Sequence, residues 1–504
     1  MKRRDFLRAS GAAVAGTLLF PETLQSQIQS RKEENLPGML NHFTVSESDL
    51  RKVMTVALEK GGDYADLYFQ HTFSNSLSLQ DGAVNRASSD IAYGVGIRVV
   101  SGDQQGYAFV ENISLNEMIK AARVASRIAN SSAKTPPVKV EEKVFRNYYP
   151  ILKSWEDKSV QEKMPFLQKL NERIFELDSR VVKVNAGISD ETSYVLYYNS
   201  EGLLCHDVRP MIILYANCIM QQNDNIENGQ SSRAARKDAS FLTDEIVEEI
   251  AQEAVNKTSI MFQAIKPKGG EMPVVMGAGG SGILLHEAIG HAFEADFNRK
   301  NTSIFSDKLG KQVCDKSINI VDDGTVENDR GSINFDDEGI GVQKTYIVKE
   351  GVLNSYLHDR ISAKFYKTSP TGNGRRQSFR FIPIPRMRST YMENGNCTQD
   401  DIIASVKSGI FVDNFTNGQV QIGAGDFTFF VKTGYLIENG KLTEPIKDVN
   451  IIGNGPKALA DITMVANNLK IDQSAWTCGK DGQGCPVSQG LPSVLVKQLT
   501  VGGM

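Results

Sequence analysis

The hexapeptide His286-Glu287-Ala288-Ile289-Gly290-His291 restricts the local fold more than any other stretch of this chain. On an α-helix, histidines four positions apart sit roughly 40° from each other around the axis; five positions apart they diverge by roughly 140°. If both imidazoles are to meet one metal ion, the helix must bulge by a residue or end between them. Gly290 is where such a distortion costs least, and single-turn π-bulges concentrate at functional sites. Two imidazoles can hold zinc, and an adjacent carboxylate can take a proton from water acidified there. The familiar helical form of this kit is H-E-x-x-H, one residue shorter, so the pattern is suggestive and needs support.

The residues just before it, Gly277-Ala278-Gly279-Gly280-Ser281-Gly282, satisfy G-x-G-x-x-G after a strand-like Pro273-Val274-Val275-Met276. That is the local context of a dinucleotide site. A second strand ending in an acidic residue is then expected, and the chain instead continues into the polar Asp296-Phe297-Asn298-Arg299-Lys300-Asn301-Thr302. The plainer reading is that the glycines let a helix start pack closely against its neighbours.

At 504 residues the chain exceeds one ordinary core. Its 40% hydrophobic content and net charge of −4 describe a globular protein without the basic footprint of a nucleic-acid binder. Six cysteines in this length do not make a disulfide scaffold. The N-terminus differs in kind: Lys2, Arg3 and Arg4 precede Asp5-Phe6-Leu7-Arg8 and a weakly apolar run to Phe20. This resembles a twin-arginine export signal, too short for a stable membrane anchor; the alternatives are a disordered basic tail and a cytoplasmic protein.

The remainder reads as α+β in two domains, an N-terminal α/β sandwich-like domain over residues 41–265 and a mixed, strand-rich domain over 266–504, behind a signal and linker over 1–40. Leu50, Val53, Met54 and Ala57 mark a helix stopped by Gly61-Gly62. Strands are expected over residues 65–69, 76–79, 93–100 and 107–110, with turns at Asp81-Gly82 and Ser101-Gly102. Helices follow over 115–129 and 160–177, further strands over 182–188, 194–198 and 211–216, and a helix over 243–264. Lys266-Pro267-Lys268-Gly269-Gly270 is the expected boundary.

Two histidines leave a zinc site short of a third ligand. His42, His71, His206 and His358 stand in no comparable setting. Cys478 is the better candidate, in the glycine-rich Trp476-Thr477-Cys478-Gly479-Lys480-Asp481-Gly482-Gln483, where a nearby lysine or a metal would favour the thiolate. By spacing alone a lone cysteine is more often an ordinary buried thiol.

Taken whole, the chain resembles the TldD/PmbA family of metallopeptidases, also called modulators of DNA gyrase, and is most similar to the TldD branch. The resemblance runs from about Ser46 to the C-terminus. It is carried by His286 to Ser306, VDDGT (Val321 to Thr325), RGSINFDDEG (Arg330 to Gly339), PTGNGRR (Pro370 to Arg376), PRMRSTYM (Pro385 to Met392), YLIENGK (Tyr435 to Lys441), CGKDGQ (Cys478 to Gln483) and LTVGG (Leu499 to Gly503). It implies HExxxH as a zinc motif, with His286, His291 and Cys478 as the metal ligands and Glu287 as the catalytic glutamate. It also implies peptide substrates that are unstructured or unfolded, and a dimer, either of like chains or with a metal-free PmbA/TldE-like subunit. Cys485 departs from the small apolar residue usual in the family, and the export-type leader departs from its cytoplasmic members.

Glu294 and Asp296 could hydrogen-bond the histidine rings or be solvated helix-end carboxylates. Arg375, Arg376, Arg386 and Arg388 could orient a substrate or line a subunit interface, and none is assigned a catalytic role. Competing readings are a non-enzymatic regulator acting through gyrase or DNA, a nucleotide-dependent oxidoreductase, and a degenerate scaffold.

Overall fold

The structure is a computed structural model and describes residues 35–130 and 138–503. The export-type leader lies outside the described residues. Among the described residues no helix is long and apolar enough to cross a membrane.

The N-terminal half is organised by one seven-stranded sheet. Its order is Gln104–Val110, Ala83–Ser101, Tyr64–Gln80, Val181–Asn199 and Leu203–Gln222, with Asn225–Ala235 and the short Glu141–Glu142 both on Leu203–Gln222. Asp81 and Gly82 take φ of 50° and 79° and close the first hairpin as the sequence suggests. The strands are much longer than expected. Residues 65–69 and 76–79 belong to one strand, Tyr64–Gln80, and 182–188 and 194–198 to another, Val181–Asn199. The polar residues inside them are satisfied within the strand, by the neighbouring strand and by a helix. Gln70 Nε2 donates to Thr72 Oγ1 (3.0 Å), Thr72 Oγ1 bonds Ser193 Oγ (2.8 Å), and Lys163 Nζ donates to Asp190 Oδ2 (2.6 Å).

Two hydrophobic cores on one face explain the strand length. Leu67 and Phe69 pack with the helices Glu47–Ala57 and Leu115–Ala125, whereas Leu77 and Leu79 pack with Val160–Leu177 and Asp244–Ser259. The even-numbered residues face the other way, as strand periodicity requires. Tyr68 of Tyr64–Gln80 and Tyr197, its partner on Val181–Asn199, meet Phe335 and Phe379 there, so the sheet is sandwiched between its helices and the C-terminal half.

Charged residues lock this second contact. Asp66 stands opposite Arg98 in register; Arg98 Nε reaches Asp66 Oδ2 (2.7 Å) and its Nη1 reaches Glu338 Oε1 (2.7 Å). Beside them Arg209 bridges Asp207 (3.0 Å) and Asp337 (2.6 Å). All three Arg98-linked side chains are fully buried. Arg98→Ala would remove the cation shared by two buried carboxylates, leaving Asp66 only Arg376 at 3.5 Å, and is expected to cost about 3–5 kcal/mol in a urea titration. A loss below about 1 kcal/mol would show that the network relaxes without it.

In the C-terminal half, Lys441–Asn454, Asp426–Glu438, Ser408–Gln421, Gly270–Met276 and Val494–Gly503 pair successively, and Lys441–Asn454 pairs back onto Val494–Gly503. Five strands thus close on themselves. A separate six-stranded sheet contains Ile320–Asp323, Ser389–Met392 and Ser488–Leu491. The segment bearing the hexapeptide lies in the core between them, with Leu284, Leu285, Ala288 and Ile289 fully buried. Multiple units of mixed α and β structure are what the composition and periodicity predict.

Candidate metal centre

Strand Gly270–Met276 leads through Gly279, at φ +90°, into this segment. A Cβ on Gly282 would lie 2.7 Å from Gly490 N and 3.0 Å from Gln489 C, so the glycines serve close backbone packing. Residues Leu284–Gly290 then form a π-helical turn, in which the His291 N–H bonds the His286 carbonyl. This five-residue hydrogen bond widens the turn by the one residue that an α-helix lacks, and brings the two imidazoles together. Their ring centroids are 5.1 Å apart at an interplanar angle of 80°.

Gly290 lies in this π-turn but supplies no unusual backbone angle. Its φ and ψ of −61° and −49° are ordinary helical values. Gly290 is required for space, because a Cβ there would sit 2.2 Å from Met387 Sδ and 2.8 Å from the Leu285 carbonyl.

Cys478 arrives from 187 residues away on the hairpin Thr477–Lys480 and Gln483–Pro486, whose turn residues Asp481 and Gly482 have φ of 49° and 72°. Its Sγ lies 3.3 Å from His291 Nε2. Donor atoms of His286, His291 and Cys478 all fall within 4.8 Å of one another, and all three residues are buried. No other trio of His, Cys, Asp or Glu is so grouped among the described residues. Glu287 is half-buried beside them.

His291 uses its other nitrogen for orientation. Nδ1 lies 3.0 Å from Glu294 Oε2, leaving Nε2 to face the donor cluster. Lys480 Nζ bridges Glu294 Oε2 (3.1 Å) and Asp296 Oδ1 (2.8 Å) and donates to the Pro385 carbonyl (3.0 Å). Glu294 and Asp296 are therefore buried partners of the site, not solvated helix-end carboxylates; Asp296 lies in the helix Ala295–Arg299. Lys480 acts differently from the sequence reading: its ammonium meets these carboxylates. Burial pushes the Cys478 thiol up, and the two imidazoles more than offset this, leaving it well below its usual range. Burial likewise raises the Glu294 carboxyl, but Lys480 and His291 hold it down to about 2. A carboxyl depressed in the fold loses its contribution only as pH falls from its unfolded value toward about 2, so Glu294 stays ionised at neutral pH.

The four arginines are occupied elsewhere. Arg375 donates to the carbonyls of Met387 (2.6 Å) and Pro486 (2.7 Å), Arg376 to that of Asp337 (2.9 Å), and Arg388 Nε to Asp322 Oδ2 (2.8 Å). Arg386 reaches the Gln483 carbonyl (3.2 Å), the Cys478 carbonyl and Cys485 Sγ (3.4 Å), bracing the hairpin. Lys480 was the residue to find from sequence: two positions after Cys478 on a strand, it shares the buried face.

The donor set suits a metal ion. One thiolate and two imidazoles leave a fourth tetrahedral position, and the buried His286 Nδ1 has no hydrogen-bond partner. Glu294→Gln is expected to weaken metal binding about 10–100-fold in a chelator competition, and unchanged affinity would refute the orienting role.

Such a donor set beside a carboxylate is the equipment of metal-dependent hydrolases as a class. Comparison with known proteins narrows this. The chain belongs to the PmbA/TldD metallopeptidase family and is a metallopeptidase. Models of the PmbA/TldA metallopeptidase domain 1, central domain and C-terminal domain match residues 65–129, 153–262 and 269–503. A metalloprotease TldD homologue of Haemophilus influenzae is 37% identical over 474 residues, 92% of this chain and 98% of that protein. A zinc metalloprotease TldD homologue of Saccharolobus solfataricus is 27% identical over 90% of this chain and 99% of its own. Two solved structures share the fold. A protein of Thermotoga maritima described as a modulator of DNA gyrase has a TM-score of 0.75 at 23% identity, and TldE of Thermococcus kodakarensis has 0.71 at 21%. They cover 90% of this chain and 100% of each neighbour.

Proposed function

We propose that this chain is a zinc peptidase in which His286, His291 and Cys478 hold the ion and Glu287 is the catalytic base. The convergence of the three donor atoms around the π-turn carries this reading. The mixed sulfur and nitrogen donors suit zinc, and the Saccharolobus relative is named for that metal. When bound, zinc acts as a Lewis acid that polarises a carbonyl and brings the pKa of water toward neutrality. Glu287 takes the proton from the attacking water and passes it to the leaving amine. Glu294 keeps His291 in one tautomer, with Nε2 toward the cluster.

The substrate is an extended, unstructured peptide selected weakly by side chain. Ser408–Gln421 pairs with Gly270–Met276 only through Ile410 to Val412, which leaves its later residues free along that edge. Asn225–Ala235 pairs only with Leu203–Gln222. Both edges line a cavity of about 1090 Å³, whose lining also includes Gly279, Gly280 and Trp476. A peptide could add there as a further strand through backbone hydrogen bonds. The chain works as a dimer, with a like chain or with a TldE-like subunit, and the Arg3-Arg4 leader supports export.

Dialysis against a chelator should abolish hydrolysis of an unstructured peptide, and zinc at about one ion per chain should restore it. Undiminished hydrolysis by a chain holding no metal would refute the proposal.

A further inference from the structure

Cys478 does not stand alone on its hairpin. The strand register sets it directly opposite Cys485, and the turn at Asp481 and Gly482 fixes that register. Directly opposite residues of an antiparallel pair have Cα atoms about 4.5–5.5 Å apart and side chains on one face, inside the roughly 4.4–6.8 Å span of disulfides. Both cysteines are buried and unbridged, at 4% and 1% exposure. Cys485 is not among the residues whose donor atoms cluster within 4.8 Å, so it is not a further ligand.

Three of the other thiols are protected by burial. Burial raises Cys205 far above its usual range, Cys218 to about 11 and Cys314 to about 12. As a metal ligand Cys478 is a thiolate, the form that attacks peroxide.

We propose that Cys485 is the resolving thiol of Cys478, so that peroxide closes a Cys478–Cys485 disulfide and withdraws the sulfur ligand from the metal site. This rests on the reading of Cys478 as a ligand. The Cys478 thiolate attacks hydrogen peroxide, an S–O bond forms, the O–O bond breaks, and hydroxide leaves to give a sulfenic acid. The Cys485 sulfur then attacks the Cys478 sulfur; the S–S bond forms, the S–O bond breaks, and the departing hydroxide takes the Cys485 proton as water. A thiolate and a thiol are oxidised by two electrons as peroxide is reduced to one hydroxide and one water. Without Cys485 the sulfenic acid has no partner, and further peroxide carries it to the irreversible sulfinic acid.

The test treats the full-length, zinc-loaded protein with hydrogen peroxide, blocks free thiols, and maps the cysteines by mass spectrometry while a chromogenic chelator reads released zinc. In the wild type the two segments should be cross-linked, with a loss of two hydrogens and release of zinc. Dithiothreitol and zinc should then restore hydrolysis. Cys485→Ala and Cys485→Ser should begin with wild-type zinc content and lose zinc to peroxide, but dithiothreitol should not restore them. Equal recovery in these variants, or independent blocking of both thiols in the wild type, overturns the proposal. Zinc bound before oxidation with no cross-link sinks the resolving pair alone. A cross-link in a chain that never held metal sinks the ligand reading, and with it the consequence drawn for the site.

Discussion

Glu287→Gln should lower peptide hydrolysis by about 10²- to 10⁴-fold while leaving bound metal unchanged, the loss expected when a positioned proton acceptor is removed. The substitution keeps the side chain's shape and removes only its basicity. Glu287 is not one of the three clustered donors and is only half-buried, so metal content and melting temperature should stay near wild type. That separation makes the result informative. A variant that lost metal as well would place Glu287 among the groups holding the site together, and a variant hydrolysing at the wild-type rate would remove it from the mechanism.

Cys478→Ala should abolish metal retention, and with it activity. The change deletes one of three donors and removes the group 3.3 Å from His291 Nε2. The loss of affinity should exceed the about 10–100-fold typical of a change outside the donor set. Elemental analysis of the purified protein reads it directly. Thermal denaturation gives a second reading: a ligand at a hundred times its Kd stabilises a fold by about 2.7 kcal/mol, so zinc should raise the wild-type melting temperature and leave the variant's unmoved. A variant that still carries metal at the wild-type level would mean that the third donor is another residue.

Much of the site's chemistry could be read along the chain. Two histidines five positions apart cannot share a face of an α-helix, and the protein meets that constraint with a π-turn closed by a hydrogen bond between those same two residues. Glycine suggests backbone freedom as the place of the adjustment, yet Gly290 takes helical angles. The deviation is spread over the turn, and Gly290 answers to Met387, a side chain 97 positions further on. The strands were cut short for a related reason. Runs such as Gln70 to Asn75 look like loops until their polar groups are matched to Ser193 and Asp190 on the neighbouring strand. Alternation reports which face a residue takes, and says nothing of a partner more than a hundred residues distant.

The helix starts, the tight turns, the non-helical spacing of the hexapeptide and the kinds of donor are local properties, and the amino-acid order alone settles them. The approach of Cys478 to the histidines is not local, and neither is the use of Lys480 as a clasp on Glu294 and Asp296. Both depend on how the hairpin docks beneath Arg386, whose guanidinium links its two strands. Register across distant strands and the pairing of buried charges are set by packing whole layers together. Only in that packed state is an ammonium far enough from water for two carboxylates to hold it in one place.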